Sequence, residues 1–196
     1  MDFSFADDIV LENDNVLLRP IVEDDLVHLL PITLSHPNLL QYSPKQVYTE
    51  DLLKAYVRNA LIEWKNGTRY TFIIFNKQDN RHAGSTAFMN VSTTDDRLEI
   101  GATWLDPVYH GSGLNRQCKY LLLQYAFEKA GAHRVEFRTD ARNLQSQKAI
   151  EKIGGKLDGK LREHMVMEDG FRRTSFLYSI LKEEWDKMKD DFPGGI

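Results

Sequence analysis

The sequence predicts a mixed α/β (α+β) fold built on a mostly antiparallel sheet. Three observations carry this reading. Helical and extended periodicities alternate along the chain in the order β-α-α-β-β-β-α-β-α-β-β. The central strand-like segments are separated only by short polar turns, as an antiparallel meander requires. The strand–helix–strand–helix unit that follows needs a parallel, right-handed crossover. At 196 residues, without repeat, low-complexity tract or Pro/Gly-rich linker, the chain reads as a single domain spanning 1–196, with its core over about 15–185 and frayed termini.

Each element has its own signal. Asn15–Pro20 is the first strand. The acidic turn Glu23-Asp24-Asp25 opens a short helix through about Leu30, with negative side chains at the positive end of its dipole. Pro31, Pro37 and Pro44 then predict turns and short helical pieces. Thr49 caps a second helix in which Leu53, Tyr56, Val57, Ala60, Leu61 and Trp64 share one face, ended by Gly67. Tyr70–Phe75 and Ala83–Val91 flank the polar turn Lys77–Arg81 as a hairpin, and Arg97–Leu105 completes the meander. A helix over Leu114–Ala130, a strand over Arg134–Thr139 and a helix over Asn143–Ile153 follow. Leu157–Met167 and Arg172–Leu181 form a last hairpin about Glu168-Asp169-Gly170. Lys182–Lys189 reads as a solvated charged end, and the final DDFPGGI as frayed.

Composition removes several function classes. With 25 basic and 29 acidic residues the net charge is −4, which argues against nucleic-acid binding by bulk electrostatics. The single cysteine, Cys118, allows no intramolecular disulfide and fits a reducing compartment; it shares a helical face with Leu114, Leu121 and Leu122 and reads as core. Acidic residues stand in MDFSFADD where a signal peptide carries positive charge, and no apolar run reaches the roughly 18–20 residues of a membrane span. The expectation is a cytoplasmic protein that does not enter membranes. The histidines lack metal-ligand spacing, and no G-x-S-x-G elbow is present.

Chemistry concentrates in three places. Gly111-Ser112-Gly113 opens the helix after Arg97–Leu105, so the backbone there can approach a ligand and free N–H groups can meet a phosphate. It is equally compatible with a plain tight turn, and it matches neither standard nucleotide motif, since position 116 is Arg and no G-x-x-x-x-G-K occurs. Glu99 alternates with Leu98 and Ile100, so it is either an exposed residue of a one-sided sheet or a base in a cleft, where burial among few positive charges would favour its neutral form. Asn143 and Ser146 stand at the start of a helix beside the carboxyl ends of two parallel strands, where open α/β sheets bind ligands; capping alone also explains Asn143.

Taken together, the stretches LRPIVEDDLVHLL, LEIGATWLDPVYHGSGLNRQCKYLLLQYAFE and VEFRTDARNLQSQKAIEKIGG resemble the GNAT superfamily of acetyl-CoA-dependent N-acetyltransferases, over roughly residues 15–185. Within it the chain is most similar to the RimJ/RimL group, which acetylates protein N-termini. The family's pyrophosphate loop begins with Gln or Arg and ends in two spaced small residues. Val108 replaces the first here, while Gly111 and Gly113 match. The later motif matches Asn143, Ser146, Glu151, Lys152 and Gly154; the family's usual tyrosine is Ile150 and the aromatic after the helix glycine is Gly155.

The resemblance implies a sheet splayed between its fourth and fifth predicted strands, Arg97–Leu105 and Arg134–Thr139, leaving a slot for pantetheine. It places acetyl-CoA against Trp104, Leu105, His110, Gly111, Ser112, Gly113, Leu114, Asn115 and Asn143, with no metal. Glu99 becomes the base for the amine, Ser146 the proton donor to the thiolate with Asn143 beside it, and an N–H near Leu105 the donor that polarises the carbonyl. Acceptors consistent with the sequence are a protein N-terminus or a small amine such as a polyamine, amino sugar or drug. A non-catalytic acyl-CoA-binding module is the alternative class. Assembly is expected as a monomer or homodimer.

Overall fold

The β-branched and aromatic runs of the sequence all enter one sheet. In the computed structural model, which describes residues 1–192, eight strands are present among the described residues. They are β1 (Leu11–Glu12), β2 (Val16–Pro20), β3 (Arg69–Asn76), β4 (Arg81–Ser92), β5 (Arg97–Leu105), β6 (Arg134–Asp140), β7 (Lys156–Val166) and β8 (Arg172–Leu181). Their spatial order is β1-β2-β3-β4-β5-β6-β8-β7. Every neighbouring pair is antiparallel except β5 and β6. That parallel pair is the strand–helix–strand unit expected from the sequence, and its pairing is short. It runs Arg97↔Arg134, Leu98↔Val135, Glu99↔Glu136 and then lapses, so the predicted splay is present.

Alternation along the strands gives the sheet two cores. Val16, Leu18, Phe72, Leu98, Ile100, Val135, Phe137 and Ile180 face α3 (Leu114–Gln124) and α4 (Leu144–Lys152). Cys118 lies in this core, fully buried, and burial pushes its thiol up to about 12. The opposite face receives α1 (Leu26–Ser35) and α2 (Glu50–Lys65), with Leu29, Ile32, Leu53, Val57, Ala60, Ile73 and Trp104 packed between. The Thr49 hydroxyl accepts from Leu52 N at 3.2 Å, the N-cap read from sequence. Thr49→Ala is expected to lower stability by about 1 kcal/mol, seen as a lower urea midpoint with an unchanged m-value.

Four expectations are corrected. Pro31 does not break the first helix, which continues to Ser35: only one backbone bond is lost, while Leu29, Ile32 and Thr33 beyond and before it are buried. The long third helix ends in a π-helical turn, Tyr125–Lys129, where Ala130 N reaches Tyr125 O at 2.9 Å. Lys182–Lys189 is no solvated end; Lys182–Met188 forms α5, whose Trp185 is fully buried on Phe127 and donates to Glu128 Oε1 at 2.9 Å. Described residues near both ends are packed: Phe3 and Ile9 are buried, and so is Phe192, its ring tilted against Tyr120 and Trp185. The remainder of the frayed-end expectation, residues 193–196, lies outside the described residues.

Candidate active site

The site is built where β5 and β6 part. Glu99 is the last β5 residue paired with β6, and it points to the face opposite Leu98 and Ile100. It is 5 % exposed, so it is not the solvated residue of a one-sided sheet. Its surroundings are less apolar than the sequence predicted. Asn90 donates to Glu99 Oε2 at 2.8 Å, and an Arg138 guanidinium nitrogen stands 3.6 Å from the same oxygen.

Two β-bulges aim these groups. In β4, Asn90 and Val91 stand against Leu98 alone, and Asn90 takes φ 49°, a left-handed backbone that asparagine tolerates. In β5, the register gains one residue between Gly101 and Trp104, with Ala102 at φ 48°. The extra residue reverses the alternation beyond it. Trp104 therefore joins Tyr56 on the α2 face, while Thr103 turns to α3 and meets Thr86 Oγ1 at 2.8 Å and Lys119 Nζ at 2.5 Å.

Among the described residues, buried Lys119 has hydroxyls as its only hydrogen-bond partners, and burial holds its ammonium down at about 8. The sign is fixed by linkage. From pH 8 to the ordinary lysine value of about 10.4 the unfolded chain binds more protons, so this group makes stability rise with pH. Lys119→Met is expected to be more favourable relative to wild type below pH 8, and the advantage narrows above it. Urea denaturation at about pH 7.5 and about pH 9.5 reads the difference; an equal difference at both would show that Lys119 does not titrate in this range.

Beyond Leu105, a 3-10 turn at Pro107–Tyr109 leads into the glycine loop. Gly111 and Gly113 have φ of 79° and 90°, and a Cβ added at either would meet nothing within 4 Å. The loop thus presents bare backbone to open space. Ser112 Oγ donates to Tyr109 O and accepts from Leu114 N, so that amide is already used and the Leu114 side chain is buried. The N–H groups of Gly111, Gly113 and Asn115 have no acceptor among the described residues, and Asn115 Oδ1 is buried without a partner. His110 and Val108 are exposed on the rim. Free amides at the first turn of a helix fit a diphosphate.

The slot has a donor as well. Asp106 N donates to Ala83 O of the neighbouring chain segment at 2.8 Å. Amides alternate in direction along a strand, so Leu105 N–H points the other way, across the gap towards β6. On the far side, Asn143 caps α4 by accepting from Ser146 N at 3.0 Å. The half-buried Ser146 hydroxyl has no hydrogen-bond partner among the described residues. Because β5 and β6 are parallel, the glycine loop and the start of α4 stand at the same end of the gap.

Sequence reasoning missed the charged floor beside Glu99. Glu136, Arg138 and Asp140 alternate with Val135 and Phe137, which gave the only signal. Arg142 holds Asp140 with two side-chain bonds and packs 3.8 Å from the Phe171 ring centroid. Burial opposes the Asp140 charge, yet the Arg142 bonds keep its carboxyl below the usual range. Arg173, from β8, donates to Tyr42 O at 3.2 Å and so ties the segment after α1 to this floor.

A separate group, Asp25, His28 and His82, has metal-ligand chemistry but the wrong geometry. The two imidazoles stack at 4.0 Å with 15° between planes, so their lone pairs lie in near-parallel planes and do not converge on one ion. Both Asp25 oxygens are already held by Arg19, at 2.6 and 2.9 Å.

Residues 15–156 match the GNAT acetyltransferase domain family. The chain is 25% identical over 153 residues to the uncharacterized N-acetyltransferase YnaD of Bacillus subtilis (strain 168), covering 78% of this chain and 85% of that one. It is 29% identical over 111 residues to the "putative ribosomal N-acetyltransferase YdaF" of the same organism, covering 57% and 60%. A GCN5-related N-acetyltransferase structure from Brucella melitensis superposes with a TM-score of 0.87 at 22% identity, covering 95% and 85%, a likeness of fold. Among the described residues, no helix is long and apolar enough to cross a membrane.

Proposed function

Because the chain belongs to the GNAT family of acetyltransferases, we propose that it transfers the acetyl group of acetyl-CoA to a primary amine. The observation that carries this reading is the lapse of β5–β6 pairing after Glu99, with the free amides of the glycine loop at its open end. Acetyl-CoA supplies an activated acetyl group; the rest is done by the chain. Gly111, Gly113 and Asn115 amides hold the diphosphate, while Trp104 backs the slot from the α2 face. Leu105 N–H polarises the thioester carbonyl. Glu99 takes the proton that makes an ammonium nucleophilic, since its Oε2 is held by Asn90 and Oε1 is left to accept. The nitrogen then bonds to the acetyl carbon and gives its second proton to water, the carbon–sulfur bond breaks, and the sulfur leaves with a proton supplied by Ser146, which water restores.

Similarity to YdaF supports a second reading, in which the acceptor is a protein N-terminus as in the RimJ/RimL group. Fully buried Cys118 goes with a cytoplasmic setting. The test is release of free thiol from acetyl-CoA with a panel of N-terminal peptides, polyamines, amino acids and other small amines. Thiol release with any of them is the expected result. Tight acetyl-CoA binding with no release for any amine would leave only an acyl-CoA-binding module.

A further inference from the structure

The floor beside Glu99 carries three guanidiniums, and they are unequally partnered. Arg142 has a full carboxylate, Asp140, whose two oxygens accept its side-chain bonds at 3.0 and 2.8 Å and whose Oδ1 also accepts its backbone N–H. Arg173 lies 3.9 Å from that carboxylate, beyond hydrogen-bond reach. Its bonds go to neutral groups, Ser175 Oγ at 2.8 Å and Tyr42 O at 3.2 Å, although it is only 7 % exposed. Arg138 has a buried Nε with no acceptor among the described residues, and its closest anion is Glu99 at 3.6 Å. A buried cation without a hydrogen-bonded anion is costly. Arg173 is such a cation, and Arg138, whose side chain is 28 % exposed, stands near it on the open side. Burial lowers the Arg173 pKa, and the nearby Arg138 charge presses it the same way.

We propose that the acceptor is an α-amino acid, its amine presented to Glu99 and its carboxylate held by Arg138 and Arg173. This rests on the acetyl-transfer reading above and narrows it. An amino acid carries ammonium and carboxylate on one carbon, and Glu99 and Arg138 offer the opposite charges side by side. A guanidinium fork also matches a carboxylate bidentately, where a lone ammonium would not. A polyamine would bring further positive charge against Arg138 and Arg173. A peptide N-terminus offers an amide carbonyl in place of the carboxylate. The wall formed by Tyr42 and Phe171 around Arg142, 5.7 and 3.8 Å from its guanidinium, lies at the same end of the floor.

The experiment measures thiol release from acetyl-CoA with the twenty α-amino acids, each beside its α-amide, with spermidine and N-terminal tetrapeptides as competitors. At least one amino acid should be acetylated with kcat/KM about 10²-fold or more above its amide, since a site built to pair a group rejects the analogue lacking it. In Arg138→Gln that acid-over-amide ratio should collapse, chiefly through KM on the acid, while calorimetry still shows acetyl-CoA bound. A second readout needs no turnover: with CoA present, N-acetyl amino acids should raise the melting temperature more than N-acetyl amino acid amides, and Arg138→Gln should abolish the difference. Amides, spermidine or peptides used as well as the acids would overturn the carboxylate site and leave acetyl transfer standing. Equal protection by N-acetyl acids and amides would overturn it too. Protection by the acids in a chain that binds no acetyl-CoA would instead keep the anion site and sink the acetyl-transfer reading.

Discussion

Glu99→Gln should lower kcat/KM by about 10²–10⁴ while leaving acetyl-CoA affinity unchanged, the usual worth of a general base. The two readouts separate because the side chain and the cradle sit on different segments. Glu99 is on β5 before the bulge; the free amides lie beyond its end, after the turn at Pro107–Tyr109. Glutamine keeps the shape and can still accept from Asn90, so the strand should hold. What it cannot do is take a proton from an ammonium. Ser146→Ala should cost less and act mainly at high pH, because water also protonates a thiolate of conjugate-acid pKa about 8.5. Wild-type turnover by Glu99→Gln across about pH 6–9 would make Glu99 a structural partner of Asn90 and Arg138 only.

What the sequence disclosed follows from how local each signal is. Between Asn15 and Leu181 the strand and helix order, the Thr49 and Asn143 caps and the Gly111–Gly113 loop rest on residues within one turn of each other, and the structure places them as read; the short β1 before them and α5 after them were not read. Trp185 shows the opposite case. A run rich in Lys, Glu and Asp looks solvated along the chain, yet one indole on the right face is enough to bury α5 on Phe127. The surroundings of Glu99 were hidden for a related reason. Its neighbours come from three other strands, Asn90 on β4, Arg138 on β6 and Arg173 on β8, the last tied to Tyr42 after α1. The Asn90 contact depends on a bulge, and a bulge is a register fact with no fixed sequence mark. Asn90, a residue at ease with positive φ in the middle of a β-rich run, was the available hint.

The loop prediction is the other large effect. Gly113→Val should weaken acetyl-CoA binding at least about tenfold, which corresponds to about 1.4 kcal/mol. Gly113 sits at φ 90° as the residue before α3, and a β-branched side chain there costs about 1–3 kcal/mol in strain. Either the backbone relaxes, and the Gly113 and Asn115 amides no longer point together, or it holds, and the new methyls stand in the open space through which a diphosphate must approach. Both routes lower affinity. The helix should survive, because Leu114, Cys118, Leu121 and Leu122 anchor it in the core. Strain and ligand contact are separated by Gly131, which has φ 73°, nothing within 4 Å of an added Cβ, and a position past the other end of that helix. Gly131→Val should lose comparable stability and keep acetyl-CoA affinity. Calorimetry on both variants decides: if Gly113→Val binds acetyl-CoA as tightly as Gly131→Val, the diphosphate is not held by this loop.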